Sequence, residues 1–208
     1  MDTLYNKICL ANYVQPKRAD ERKEYAYLSK EPTELQSWTG QTFTEAENMK
    51  TNGFLFFYQT PIGRIGITEN GTVLTHVFFE EDFIPDPDHW ERRETDLLRM
   101  AATQLQEYFS GRRKVFDVPL SRKGTPFRQK VRGALLEIPY GETRSYREIA
   151  RAIGMENACR AVGMANKSNP LPIFIPCHRV IGSNGKLIGY AGGLDKKQFL
   201  LDLEKQYV

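Results

Sequence analysis

Hydrophobic residues follow two rhythms along this chain. From Gly53 to Phe79 the rhythm is short. "GFLFFYQT", "RIGIT" and "TVLTHVFF" are rich in aromatic and β-branched residues and are separated by "PIG" and "ENG". Asn-Gly between apolar runs is a strong hairpin signal, so three antiparallel strands in a meander are expected. "EEDFIPDPDHW" reads as a loop. Beyond it the rhythm lengthens. Leu97, Leu98, Ala101, Leu105, Tyr108 and Phe109 recur at helical spacing, and Gly111 is placed to end that helix. "KVFDV" offers a further short strand. Residues 53–118 thus read as a small α+β domain, and "PLSRKG" as the linker to residues 119–208.

The second part is helical. Thr125 can cap a helix with Pro126 at its first position. Phe127, Val131, Ala134, Leu135 and Ile138 form its apolar stripe. Ser145 and Glu148 make a capping box for a helix that ends at Gly154. "NACRAVGMAN" follows as another helix, with Ala158, Ala161, Val162 and Ala165 as its inner stripe. A helix, a glycine turn and a second helix is a helix-turn-helix pattern. The second helix is thin, and its one long cation, Arg160, lies ~200° around from Ala158. Such a helix suits a groove of nucleic acid. Two packed helices with a surface arginine is the competing reading. In "LDKKQFLLDLEKQYV", Lys197, Leu200, Leu201 and Glu204 share one face. Burial of the leucines would oblige Glu204 to find a partner. Residues 1–52 show no sustained period, yet hold Tyr5, Tyr13, Tyr25, Tyr27, Trp38 and Phe43, and read as an extension that partly packs on the rest.

Composition adds little until it is divided. The 208 residues are 40% hydrophobic and 26% charged, ordinary for a globular protein. No apolar run reaches the ~18 residues of a membrane span. The first residues lack a basic segment followed by an apolar one, so a cytoplasmic location is expected. The net charge of +3 is unevenly spread. Residues 1–120 carry 14 Lys and Arg against 19 Asp and Glu, whereas residues 121–208 carry 15 against 7. A basic half points to a polyanionic partner, or only to a solvated surface.

Cys9, Cys159 and Cys177 form an odd set without a C-x-x-C pair, so reduced thiols are expected. No Cys/His spacing matches a structural zinc site, though Cys9, His76, His89 and Cys159 could supply three ligands by converging in space. "NPLPIFIPCHRV" sets Cys177 among Pro170, Pro172 and Pro176, and reads as a stiff, extended segment. Side chains of neighbouring residues in such a segment point opposite ways, so His178 would reach the thiol only through a water or a turn. Glu204 holding His178, and His178 polarising Cys177, would be a nucleophile, base and orienter. A structural thiol and a solvated glutamate remain the plainer alternatives.

"PCHRVIGSNGKLIGYAGGLDKKQFLLDLE", with "GTPFRQKVRGALLEIPYGETRSYREIARAIG" and "RAVGMANKSNPLPIFIPCHRV" upstream, closely resembles the O6-alkylguanine-DNA alkyltransferases, also called methylated-DNA–protein-cysteine methyltransferases. The resemblance is specific over residues 124–204, looser over 53–118 and absent over 1–52. It implies an α+β fold in which a ribonuclease-H-like domain precedes a helical domain with the helix-turn-helix. It implies a single irreversible transfer of the alkyl group from O6 of guanine in double-stranded DNA to Cys177, with O4 of thymine left open as a second source. No metal, no organic cofactor and a monomer are implied. By the same resemblance His178 is the water-bridged base, Glu204 its orienting carboxylate, and Asn169 a shaper of the active-site turn. Tyr146 turns the nucleotide and donates to N3 of the guanine, and Lys197 acts near the acceptor. Arg160 fills the gap left by the flipped base, with Arg128, Arg147, Ala158, Lys167 and Ser183 against DNA. Pro172, Val180, Tyr190 and Ala191 would line the pocket.

Two positions depart from the family pattern. Arg132 stands where Trp is usual, and Cys159 where Ala is usual. Relatives that only flag the lesion carry Trp in place of the acceptor, so Cys177 favours transfer over flagging. A cysteine hydrolase unrelated to DNA is opposed by Arg160 and the basic half.

Overall fold

The computed structural model describes residues 53–79 and 90–208. The expected extension 1–52, most of the loop after Phe79, Cys9 and His89 lie outside the described residues.

The three expected strands are present as β1 (Phe54–Thr60), β2 (Gly63–Glu69) and β3 (Leu74–Phe79). They form an antiparallel meander. A two-residue β4 (Glu91–Arg92) pairs in parallel with β1, giving the order β3-β2-β1-β4. Each turn has a local cause. At "TPIG", Thr60 Oγ1 donates to the Gly63 carbonyl at 2.6 Å. At "ENGT", Asn70 Oδ1 accepts from the backbone N–H of Thr72 and Val73, while Gly71 takes φ +92°, which a side chain would resist.

Helix α1 (Asp96–Phe109) opens on Thr95, whose hydroxyl accepts from Leu98 N, and buries Leu98, Ala101, Leu105, Tyr108 and Phe109 against the sheet side of the core. "KVFDV" does not form a strand. Leu120 alone of residues 114–120 bridges β3, at Leu74, where Leu74 N donates to the Pro119 carbonyl and Ser121 N to the Leu74 carbonyl, both at 2.8 Å. The "PLSRKG" segment is therefore docked beside β3 at its start.

Helix α2 (Pro126–Leu136) is capped by Thr125 and buries Val131, Leu135 and, just beyond it, Ile138. Helix α3 (Tyr146–Ala152) carries the expected capping box in full. Helix α4 (Cys159–Lys167) is rotated from the expected stripe: Val162, Ala165 and Asn166 are buried, Ala158 is half-buried and Ala161 is exposed. A polar Asn turns inward because a carbonyl awaits it there. Helix α5 (Leu194–Gln206) buries Leu200, Leu201, Leu203, Lys197 and Glu204.

One apolar cluster runs through both halves, from Ile65, Ile67 and Leu74 through Leu98 and Leu105 to Val131, Leu135, Val162, Leu171 and Leu200. Each such side chain contributes roughly 1.5–3 kcal/mol on burial. Val77 N also donates to the Pro170 carbonyl at 2.7 Å, fastening the segment before Cys177 to the sheet.

Candidate active site

The segment 171–180 is buried throughout, but it is not extended. It coils back on itself. Ile175 N donates to Leu171 O at 2.9 Å, Cys177 N to Ile175 O at 2.7 Å, and Cys177–Arg179 form one 3-10 turn. Ile173 takes φ +75°, a conformation that costs a β-branched residue about 1–3 kcal/mol. Prolines fix their own φ but not that of the residue between them, so the stiff, extended expectation fails at Ile173. Asn169 holds the coil from inside. Its Nδ2 donates to Ile175 O at 2.9 Å and its Oδ1 accepts from Leu171 N at 3.2 Å. Asn166 Nδ2 donates to the Cys177 carbonyl at 3.2 Å.

Cys177 is 2% exposed. Burial pushes its thiol up to about 11, against the opposing pull of the Asn169 side chain and the Lys197 charge. His178 is fully buried, and burial lowers its affinity for a proton. Its Nε2 lies 2.8 Å from Glu204 Oε1. A neutral ring facing a carboxylate must carry its proton on that nitrogen, since two acceptors would repel. Nδ1 is then the lone pair. It is buried and has no hydrogen-bond partner among the described residues. The ring thus presents a free, oriented base.

Glu204 is the hub. Oε1 accepts from His178, from Tyr108 OH at 2.7 Å and from Arg179 Nη2 at 3.0 Å. Oε2 accepts from Arg179 Nε at 2.9 Å and Gly141 N at 3.0 Å. Burial would raise this carboxyl, but the hydrogen bonds from His178 and Arg179, with the Arg179 charge, hold it at about 2. Arg179 completes its own shell by donating from Nη1 to Ile138 O at 2.6 Å. Tyr108, Arg179 and Gly141 escape sequence reasoning. Tyr108 was legible only as core, and nothing marked Arg179 as buried. A cation beside a buried acid is the one signal that could have paired them.

Lys197 is wholly buried, not solvated. Its Nζ donates to the carbonyls of Val180 at 2.6 Å, Ile188 at 2.9 Å and Gly189 at 3.4 Å. Burial lowers it to about 8, with Cys177 acting the other way. The same Ile188 carbonyl accepts from Tyr146 OH at 2.9 Å. Burial, then the nearby Cys177, pushes the Tyr146 hydroxyl above its usual range, so it keeps its proton at neutral pH. A parallel bridge of β5 (Arg144–Ser145) with β6 (Val180–Ile181) ties the cap of α3 to the residues after His178. That bridge is what sets Tyr146 beside the cysteine segment. Val180 and Pro172 are buried, Tyr190 is half-buried with its ring 6.5 Å from that of His178, and Ala191 is exposed.

The residues expected at DNA lie apart from this network. Arg160, Arg128, Arg147, Lys167 and Ser183 are exposed, and Ala158 is half-buried. Cys159 is half-buried, with Sγ 3.6 Å from the Glu156 carbonyl. Among the described residues no three His, Cys, Asp or Glu side chains gather as a metal site would require. No helix among them is long and apolar enough to cross a membrane.

A buried thiol, an oriented base and a helical pair with an exposed arginine are compatible with an alkyl-accepting or a hydrolytic cysteine protein. Comparison with known proteins selects between these. Residues 56–122 match the family described as 6-O-methylguanine DNA methyltransferase, ribonuclease-like domain. Residues 126–206 match its DNA binding domain. Over 152 residues the chain is 53% identical to the constitutive methylated-DNA–protein-cysteine methyltransferase of Bacillus subtilis, covering 71% of this chain and 92% of that one. Over 149 residues it is 52% identical to the corresponding enzyme of Methanosarcina acetivorans, covering 71% and 95%. The crystal structure of Mycobacterium tuberculosis O6-methylguanine methyltransferase superposes with a TM-score of 0.70 at 47% identity, covering 74% of this chain and 94% of that one. The M. tuberculosis OGT structure in complex with DNA gives 0.69 at 46% identity, with the same coverage. The chain belongs to the methylated-DNA–protein-cysteine methyltransferase family. Its fold is accordingly α+β, with a ribonuclease-like part followed by a helical part.

Proposed function

We propose that this protein repairs DNA by moving the alkyl group from O6 of guanine to Sγ of its own Cys177, once per molecule. The carrying observation is the Cys177 segment held beside a His178–Glu204 pair whose Nδ1 is free. In the free protein the thiol is protonated, since about 11 lies far above neutral pH. His178 Nδ1, through a water, takes the thiol proton as sulfur attacks the alkyl carbon. The S–C bond forms, the C–O6 bond breaks, and the electron pair passes to the guanine ring. Tyr146 donates to N3 of that ring, and the proton on His178 makes good the loss through solvent. The products are a thioether and unmodified guanine.

O6 is inaccessible in a stacked duplex, so the nucleotide leaves the stack, at a cost of a few kcal/mol. Arg160 is exposed near the start of α4 and fills the vacated space. Arg128, Arg147, Ala158, Lys167 and Ser183 meet the backbone, which suits repair at any sequence. Pro172, Val180, Tyr190 and Ala191 form the wall around the base. Residues 53–118 act as the supporting domain and 119–208 as the DNA-binding and transfer domain, in a protein that acts as a monomer in the cytoplasm.

Intact-protein mass spectrometry tests this. After incubation with a duplex carrying one O6-methylguanine, the protein gains one methylene mass (~14 Da), mapped to the Cys177 peptide. Cys177→Ala gains nothing but still binds the duplex. Modification of Cys159 instead, or tight binding without any gain, would reject Cys177 as the acceptor, and the second result would favour lesion flagging.

A further inference from the structure

Away from Cys177, a cavity of about 490 Å³ opens between β3, the 119–124 segment and the first turns of α2. Its wall includes Lys123, Arg128 and Arg132, with the hydroxyls of Ser121 and Ser168 and the ring of His76. Among the described residues no acidic side chain lines it. Arg132 is 8% exposed, yet only one of its five N–H groups is matched among the described residues, by Nη2 to the Lys123 carbonyl at 2.6 Å. A buried guanidinium without a carboxylate is costly, and a second arginine on the same face makes it more so. Burial, then Arg128, lowers the proton affinity of Arg132. The start of α2, an eleven-residue helix with Pro126 in its first turn, adds the positive end of a helix dipole to the same space. Every charged side chain among the described residues around the cavity is a cation.

We propose that this cavity is a phosphate site, and that in the DNA complex a backbone phosphodiester flanking the target occupies it. The second clause rests on the proposed function. It follows from continuity: the exposed flank of α4 that carries Arg160 and Lys167 ends at Ser168, which is itself part of the cavity wall. The cationic surface of the helical pair thus runs on into a pocket. One tetrahedral anion there would meet Arg132, Arg128 and Lys123 together, the bidentate fork of arginine being suited to phosphate oxygens.

The test uses the full chain with Arg132→Gln and, as a second variant at an exposed position, Lys123→Gln. Duplex binding is measured across salt concentrations, and alkylation by free O6-benzylguanine is measured in parallel. Each variant is expected to lower the slope of log K against log salt by about 0.9, the value for one phosphate contact, with the free-base reaction unchanged. Inorganic phosphate at constant ionic strength is expected to raise the melting temperature of the parent protein and not of either variant. If phosphate stabilises only the parent but the duplex slopes stay equal, the site takes free anions and the DNA clause fails. If phosphate and the slopes are both indifferent to the substitutions, the cations are balanced within the chain and the proposal falls. Loss of the free-base reaction in the parent itself would instead overturn the proposed function, leaving the phosphate result to stand alone.

Discussion

Glu204→Gln removes one charge and almost no volume, which makes it a sharp probe of the buried network. Five donors converge on the two carboxylate oxygens, from His178, Tyr108, Arg179 twice and Gly141. A glutamine turns one acceptor into a donor. In its better orientation it still confronts Arg179 Nε and Gly141 N with an NH2 group. The carboxyl is held at about 2 against a usual 4.5. At about 1.4 kcal/mol for each tenfold change in proton affinity, the ionised form contributes about 3 kcal/mol. Breaking a buried pair by changing one partner costs roughly 3–5 kcal/mol, an independent route to the same size. Because the folded carboxyl binds its proton more weakly than the unfolded one, this stability is present above pH 4.5 and is lost as pH falls towards 2. Urea unfolding of both proteins from pH 7 downwards should show a gap of about 3 kcal/mol at neutrality that closes at acid pH. The melting temperature should fall by about 6–12 °C for a chain of this size. A gap under about 1 kcal/mol at pH 7, or one that does not shrink with acid, would refute the reasoning.

Lys197→Met is expected to strip the carbonyls of Val180, Ile188 and Gly189 of their shared donor. Stability should drop by about 2 kcal/mol and transfer should slow, with both read by denaturant unfolding and single-turnover kinetics. Equal transfer rates would separate the lysine from the chemistry. Arg160→Ala should depress repair of duplex DNA much more than reaction with free O6-benzylguanine, because only the duplex substrate needs its gap filled. Matching losses on the two substrates would remove that role.

Local rules carried much of this fold. Thr125 with Pro126, the Ser145–Glu148 box and Asn70-Gly71 each act within four residues, and each sits where the pattern placed it. The helical stripes of α1 and α2 are likewise read from neighbours along one chain segment. What escaped depends on distant partners. Asn166 turns inward for a carbonyl eleven residues away, which swings the buried face of α4 off Ala161. Tyr108 reaches Glu204 across 96 residues. The coil at Ile173 needs Asn169 to hold it from inside, and no proline pattern encodes that. The pairing of His178 with Glu204 was legible as a question, because an acid on an apolar face requires an answer. The cation that shares the acid was not.

The near-total enclosure of Cys177, 2% exposed within the main apolar cluster, has a consequence for what happens after the reaction. On the proposed reading, the base must part the covering side chains to arrive, and it then leaves without its alkyl group. The carbon stays behind as a wedge, and the chains cannot close over sulfur as they did before. Misfit of this kind in a packed interior costs about 1–3 kcal/mol, and more for larger groups. A molecule that has reacted is therefore a slightly different folded object from one that has not. Its history is written into how readily it comes apart.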